Sequence, residues 1–360
     1  MTKKFISIVP FWPVALADSE NYFLSPSIVA KKQGYDVSIF VVSPSTKQQE
    51  SVYKGIPVRF FSSVWELYKN LPTRAIIHCQ TSCRYAFLIL GLLFFKKRAC
   101  QIVWTPHTSF GYGFPSKLPF NFFKVFSFML KRLNRIIAIT KYEEEYLQTL
   151  GYKNIIYIPL VSNKSGLDLE EIRAKEQVFN LLFVGGDRPI KGLVNVLKAV
   201  SVLRKLNIDV KLRVLGTINP SFMKKYSNLI LPNIEFLGHI KHRSPLFLNI
   251  LRQSDCYINN SLYEGHPLAV DEAVEFGLFL CLSDLPTFRR TFGASALFHN
   301  PNCYSELVKS IIFYFYNREI GRRHRKDNKE IIKDFSYPQF EARFKRVLKS
   351  LESAFLYTTS

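Results

Sequence analysis

The sequence predicts an α/β protein of two halves, each a mainly parallel sheet covered by helices. Three observations predict it. Short β-rich runs alternate with helix-length segments along the chain, the pattern of βαβ units. A polar stretch from Val161 to Gln177 interrupts the alternation once, after which it restarts. The 360 residues, 48% of them hydrophobic, are too many for one ordinary domain and apolar enough for two cores. The expected domains are residues 1–165 and 166–335, followed by a C-terminal segment 336–360.

In the first half, "FISIV" reads as a buried strand ending in a loop. Lys3-Lys4 and the following "FISIVPFWPVALA" imitate a signal peptide, but two prolines interrupt the apolar core. A helix is expected through "SPSIVAKKQGY", stopped at Gly34, the usual C-cap residue. The strands "DVSIFVV", "PVRFF" and "AIIHC" follow, with a helix near "VWELYKN". "YAFLILGLLFFKK" reads as a helix. Its apolar run, Ala86 to Phe95, is the longest in the chain and too short to span a bilayer. Then come "QIVWTPH", an amphipathic segment from Leu118 to Leu133, "RIIAIT", the helix "KYEEEYLQTLG" and "IIYIPL". The second half reads "NLLFVGG", the helix "GLVNVLKAVSVLRKL", "VKLRVLG", "IEFLGHI", "FLNILRQS", "CYINNS", a turn and helix, "LFLCLSD", a helix and "ALFHN". "FEARFKRVLKSLESAF" is a C-terminal helix whose pattern leaves open whether it returns to the first domain. Open parallel sheets bind ligands beyond the carboxyl ends of their strands, so two such domains facing each other across a cleft would enclose a large site.

A net charge of +21 points to polyanionic partners. From Leu67 to Tyr142 there is no Asp or Glu, while Lys96, Lys97, Arg98, Lys117, Lys124, Lys131, Arg132 and Arg135 interleave with many aromatic residues. Lysine reads anionic lipid and aromatic rings settle at the headgroup level, so this span is expected to meet an anionic membrane surface; the bland alternative places the rings in the core. No nucleic-acid motif accompanies the charge. The six cysteines sit mostly in apolar stretches without paired CxxC spacing. They are expected to be buried thiols in a reducing compartment, and Cys79 with Cys83 makes no metal site.

Two stretches carry chemistry. In "FVGGDRPIKG", Gly185 and Gly186 end a strand and a helix starts after Lys191-Gly192. Glycines let backbone approach an anion, the helix start adds oriented amides, and Arg188 and Lys191 add positive charge. This describes a diphosphate pocket, although it matches neither the P-loop nor the GxGxxG pattern. In "NSLYEGHPLAVDEAVEFG", Glu264 precedes a helix whose first position suits Pro267. The amides of Leu268 and Ala269 would face an anion, and Glu272 would lie roughly 7–8 Å along the axis. A diphosphate there would have a carboxylate near each substituent, and carboxylates accept from the paired hydroxyls of sugars. The plain alternative makes Glu264 a helix-dipole partner and Glu272 a solvated residue.

"EGHPLAVDE" resembles the E-x7-E motif of retaining glycosyltransferases of the GT-B fold, specifically glycosyltransferase family 4. "LLFVGGDRPIKGLVNVLKAV" resembles that family's strand–loop–helix with "KG" before the helix, and "IEFLGHI", "RQSDCYINNSLYEG" and "DFSYPQFEARFKRVL" recur in the family's order. The match is good from about Trp104 to Leu348. The resemblance implies two Rossmann-like domains, with acceptor binding in the first and donor binding in the second. It implies that Arg188 and Lys191 neutralise the donor diphosphate, Glu264 binds the transferred sugar and Glu272 holds the ribose hydroxyls. Gly265, His266, Pro267 and Leu268 would set backbone against sugar and phosphate, and Gly238, His239 and Ile240 would line the base. His107 would reach the donor sugar, its alternative being a satisfied core histidine. Retention in the family is ascribed to front-face attack assisted by the leaving phosphate, with no metal or other cofactor.

Two departures stand out. The family arginine usually follows the first "VG" directly; here Gly186 sits there and Arg188 lies nearer the lysine. The usual Gly-Gly loop after the first strand is missing from "PFWPVALADSENYF", where Asp18, Ser19 and Glu20 stand as candidate substitutes. The function expected is sugar transfer from a UDP- or GDP-sugar to a hydroxyl of a lipid-linked or surface-polysaccharide acceptor, at the cytoplasmic face of the membrane. A sugar-nucleotide epimerase and a non-catalytic scaffold of the same fold are the alternatives.

Overall fold

The computed structural model describes residues 3–9, 19–42, 50–80, 89–93, 100–107, 127–161 and 178–357. The chain forms two compact units, Met1–Val161 with Tyr337–Ser360, and Ser162–Ser336.

In the first unit the continuous apolar runs become central strands, because a parallel sheet buries both faces. β1 (Lys4–Val9) is buried after Lys4, and β2 (Asp36–Val42), β5 (Ile76–Gln80), β6 (Gln101–Thr105), β7 (Arg135–Ala138) and β8 (Ile155–Tyr157) join it in parallel. β3 (Glu50–Tyr53) pairs antiparallel with β4 (Ile56–Phe61) at the edge. The described order is β3-β4-β2-β1-β5-β6-β7-β8, so connections leave β1 in both directions. The short strand β3 has no counterpart among the expected elements. Its turn is Lys54-Gly55, with φ of 49° and 70°. Such a turn needs two left-handed residues, which "YKGI" advertises less clearly than Asn-Gly would.

The first helix runs Ser19–Lys32, beginning well before the expected "SPSIVAKKQGY" and continuing through Pro26. A proline removes one hydrogen bond, and the packing of Phe23, Leu24, Val29 and Ala30 in the core outweighs that loss here. Helix Tyr337–Tyr357 packs on the same face of the sheet, where Phe340, Phe344, Val347, Leu348 and Leu351 join Phe5, Val29 and Ile39 in one core. Asp18 and most of the basic aromatic span lie outside the described residues, as do Cys83 and the polar stretch 162–177. Cys79, Cys100, Cys256 and Cys281 are buried thiols; Cys303 is only half-buried, because it precedes helix Tyr304–Tyr316 at the surface.

Among its described residues the second unit holds a six-stranded parallel sheet ordered β11-β10-β9-β12-β13-β14. Its strands are β9 (Phe179–Val184), β10 (Val210–Leu215), β11 (Ile234–Gly238), β12 (Cys256–Asn259), β13 (Phe279–Ser283) and β14 (Leu297–His299). Helices Leu193–Lys205 and Tyr304–Tyr316 bury their apolar stripes, Val196, Leu197, Val200, Leu307 and Ile311 among them, against β9, β10 and β12. No helix among the described residues is long and apolar enough to cross a membrane.

Candidate active site

β9 has β10 on one side and β12 on the other, so connections leave this strand in both directions. At such a switch point the loops beyond the carboxyl ends separate, and ligands of open α/β sheets bind there. The two chemistry-bearing stretches are the loops after β9 and after β12.

The β9 loop turns at Gly186, with φ of 62°. Gly185 and Gly186 both donate to the carbonyl of Leu215, at 2.9 and 3.0 Å, which draws this loop onto the end of β10. A Cβ on Gly186 would strike the carbonyl of Thr217, and one on Gly216 would lie 2.5 Å from the amide nitrogen of Gly186. Gly216 in turn donates to Gly238 at 2.8 Å, so the ends of β9, β10 and β11 are stitched side by side. Beyond β11, His239 is exposed and Ile240 half-buried. Arg188 is exposed and donates from Nε to Gly185 at 3.2 Å.

Pro189–Lys191 makes a single tight turn that ends at Gly192, φ 66°, where helix Leu193–Lys205 starts. Asn260 reaches across from the β12 loop and donates to the carbonyls of Gly192 and Pro301, at 3.0 and 3.1 Å. Its own carbonyl can only accept, so His299 donates to it from Nε2 at 2.9 Å. Burial pushes His299 down to about 4, which keeps that imidazole neutral at physiological pH. Leu262 also donates to Ile190 at 2.9 Å. Four elements are thereby locked around Lys191.

Lys191 Nζ forms an ion pair with Glu264 Oε1, their side chains 16% and 13% exposed. The same oxygen accepts from Ser261 Oγ at 2.7 Å and from Asn259 Nδ2 at 3.5 Å. Glu272 is arranged in the same manner, its Oε1 taking the imidazole Nε2 of His242. Each carboxylate is thus tied through Oε1, while Oε2 has no protein partner among the described residues. Glu264 is not merely a dipole partner, and Glu272, at 12% exposed, is not a solvated side chain.

Pro267 stands at the residue before helix Leu268–Glu275 and does not begin it. Its ψ of 113° keeps it extended, so the helix starts one residue later than expected. No side chain caps the first turn, which leaves the amides at its start for an anion. Gly265 is held by Thr287, whose Oγ1 donates to its carbonyl at 3.2 Å. The His266 side chain turns inward, with Nε2 2.6 Å from Asp271 Oδ2 and its ring edge-on to Phe335. Burial alone would lower His266, but the Asp271 carboxylate, aided by the charge of Glu264, raises it above the ordinary imidazole value.

His107 belongs to the other unit, just beyond β6. Its backbone is left-handed, φ 48°, uncommon for a residue with a side chain. Gln80 Nε2 donates to Ser7 Oγ and to the carbonyl of Phe23, at 2.9 and 2.6 Å. Its Oε1 therefore faces His107 Nε2 at 3.2 Å, which places the ring proton on Nε2. The ring of Phe23 lies 4.5 Å away, and burial pushes His107 down to about 3, so it is neutral.

Asn260, His242, Asp271 and Gln80 were not legible as site residues, since each meets its site partner through the fold. A model of the glycosyl transferases group 1 matches residues 167–331, and one of glycosyltransferase family 4 matches residues 27–161. The chain belongs to the GT-B glycosyltransferases of the family 4 type. Three solved structures share its two-domain fold. Sucrose-phosphate synthase from Thermosynechococcus elongatus aligns with a TM-score of 0.75 at 16% identity, covering 98% of this chain and 100% of that one. A trehalose-6-phosphate synthase, studied for glycosyltransfer with retention, aligns at 0.74 and 14% identity, covering 97% and 99%. HepE from Anabaena, in complex with UDP and glucose, aligns at 0.71 and 13% identity, covering 97% and 100%. No curated protein matches the chain in sequence. Among the described residues of this glycosyltransferase, no three His, Cys, Asp or Glu side chains are grouped to hold a metal ion.

Proposed function

We propose that this glycosyltransferase moves a sugar, with retention and without a metal, from a UDP- or GDP-sugar to a hydroxyl of a lipid-linked or surface-polysaccharide acceptor. The observation that carries the donor reading is the Lys191–Glu264 pair, held across the β9–β12 switch point beside an uncapped helix start. An ammonium has three donors, so Lys191 can keep Glu264 and still donate to a phosphate oxygen. Arg188, exposed at the same loop, adds a second cation for the departing diphosphate. The amides of Leu268 and Ala269 complete the anion site. Glu264 Oε2 faces the transferred sugar, Gly265 to Leu268 line it with backbone, Glu272 takes the ribose hydroxyls, and Gly238 to Ile240 line the base. By the family resemblance His107, kept neutral by burial, is the first-unit residue assigned to the donor sugar.

In the step proposed, the acceptor oxygen attacks the anomeric carbon from the face the diphosphate leaves. The bond from carbon to phosphate oxygen breaks, the bond to the acceptor oxygen forms, and the acceptor proton passes to the departing phosphate. The complex of HepE with UDP and glucose and the work on retention with a trehalose-6-phosphate synthase support the donor class and the stereochemistry by analogy. Contact with the cytoplasmic face of an anionic membrane is supported by Phe128, 49% exposed with the Arg132 guanidinium 4.0 Å over its ring, in the span without acidic residues.

Calorimetric titration with UDP, GDP and ADP, first without metal and then with magnesium, tests the reading. Micromolar binding of one nucleotide without metal supports it and names the base. A folded protein that binds none of the three overturns it.

A further inference from the structure

The loop Lys241–Arg243, just past the segment that would line the base, is fastened to helix Leu268–Glu275 twice. His242 Nε2 donates to Glu272 Oε1, and Arg243 Nη2 donates to Glu275 Oε2 at 2.8 Å. Glu272 and Glu275 are one helical turn apart and share a face. Consecutive side chains of an extended strand point to opposite sides, so His242 and Arg243 could not both reach that face from extended backbone. Arg243 solves this with a left-handed φ of 52°, a conformation that residues with side chains seldom adopt. The surroundings keep both pairs in place. The Phe247 ring lies 5.1 Å from the imidazole, Ser244 closes the turn by donating to the Lys241 carbonyl at 3.1 Å, and the Glu275 side chain is 5% exposed.

The consequence concerns the rotation of one carboxylate. A glutamate on a helix turns about three bonds, and accepting two neighbouring hydroxyls requires one orientation among many. His242 removes that freedom by occupying Oε1, which leaves Oε2, without a protein partner among the described residues, available to a ligand. We propose that His242 is a positioning residue of the nucleoside subsite: it orients Glu272 toward the ribose hydroxyls, and preference for ribonucleotides over their dideoxy counterparts depends on it. This rests on the reading of Glu272 as the ribose-binding carboxylate.

The test compares the full chain with His242→Ala, His242→Gln, Glu272→Ala and the double variant His242→Ala/Glu272→Ala. Calorimetry is run with UDP, GDP and ADP and with their 2′,3′-dideoxy forms, and melting temperatures are recorded alongside. Charge-assisted hydrogen bonds of this kind are worth about tenfold or more in affinity. The wild type should therefore favour the ribonucleotide by at least that factor. His242→Ala should bring the two forms within about threefold by weakening only the ribonucleotide. His242→Gln, whose amide still donates, should restore part of the preference. Glu272→Ala should abolish it, with nothing further lost in the double variant. A His242→Ala protein that melts normally yet weakens both forms equally, or keeps the full preference, overturns the inference while the donor reading stands. A folded wild type that binds no ribonucleotide overturns both.

Discussion

Glu143 offers the sharpest quantitative prediction. It is the third residue of helix Lys141–Thr149, where its amide donates to the cap Thr140 Oγ1 at 3.0 Å. Its Oε2 accepts from the amide of Ile139 at 2.8 Å, and its Oε1 is buried without a partner among the described residues. The residue is 2% exposed. Burial raises the carboxyl to about 8, the Ile139 amide offsetting only part of the effect. The native state therefore holds a proton that the unfolded chain releases near 4.5. Stability is unaffected at pH values below the unfolded value, falls as pH climbs toward the folded one, and levels off above it. Each pH unit within that window costs the native state about 1.4 kcal/mol, so about 3 kcal/mol is lost by pH 7 and about 5 kcal/mol by pH 8.5. Glu143→Gln keeps an acceptor for Ile139 and cannot ionise. At pH 7 the variant should be more stable by about 3 kcal/mol, which for a unit of this size is about 6–12 °C in melting temperature. The assay is thermal and urea unfolding of both proteins from pH 4 to pH 9. Stabilities should converge at the acid end and diverge steadily above it. Equal stabilities at pH 8, or parallel pH slopes, would refute the reasoning.

Two further predictions concern the donor site. Among the described residues, Lys191→Met leaves the Glu264 carboxylate, 13% exposed, with only Ser261 and Asn259 as donors. It should lower transfer at least about 100-fold and stability by about 1–3 kcal/mol, and adding Glu264→Gln should recover part of the stability but none of the activity; product formation and urea unfolding read the two effects separately. Asp271→Asn removes the carboxylate that raises His266. Because His266 is raised, the pair's stabilisation is complete below the ordinary imidazole value and fades as pH rises through the higher folded one. The wild type's advantage over Asp271→Asn should thus be on the order of 3–5 kcal/mol near pH 6 and smaller near pH 9, as urea titrations at the two values would reveal.

Local signals made much of this molecule readable. The short apolar runs rich in β-branched residues read as buried parallel strands, and the "GG" and "KG" pairs marked turns that no residue with a Cβ would make easily. Glu264 and Glu272 stood out because charges flanked a turn where a plain surface helix needs none. What stayed hidden depends on distance along the chain. His242 meets Glu272 across 30 residues and Gln80 meets His107 across 27, and neither residue carries a local pattern that names its partner. His266 was read for its backbone alone, since "EGHP" does not reveal that the ring turns inward to Asp271. The first helix starts earlier than its local pattern suggests and runs through Pro26, because Phe23 and Leu24 pack into the core.

The close approach of Gly186 and Gly216 restricts how this site can change over time. A side chain on Gly216 would need the space of the Gly186 backbone, and one on Gly186 would need the space of the Thr217 backbone next to Gly216. A substitution at one cannot be relieved by a change of type at the other, because the obstruction is backbone and is present whatever residue stands there. The two positions form a mutual lock with no single-step exit, and only a shift of a whole loop would open one. Variation around these loops is therefore channelled to neighbours such as Arg188 and His239, whose exposed side chains can be exchanged without moving the frame.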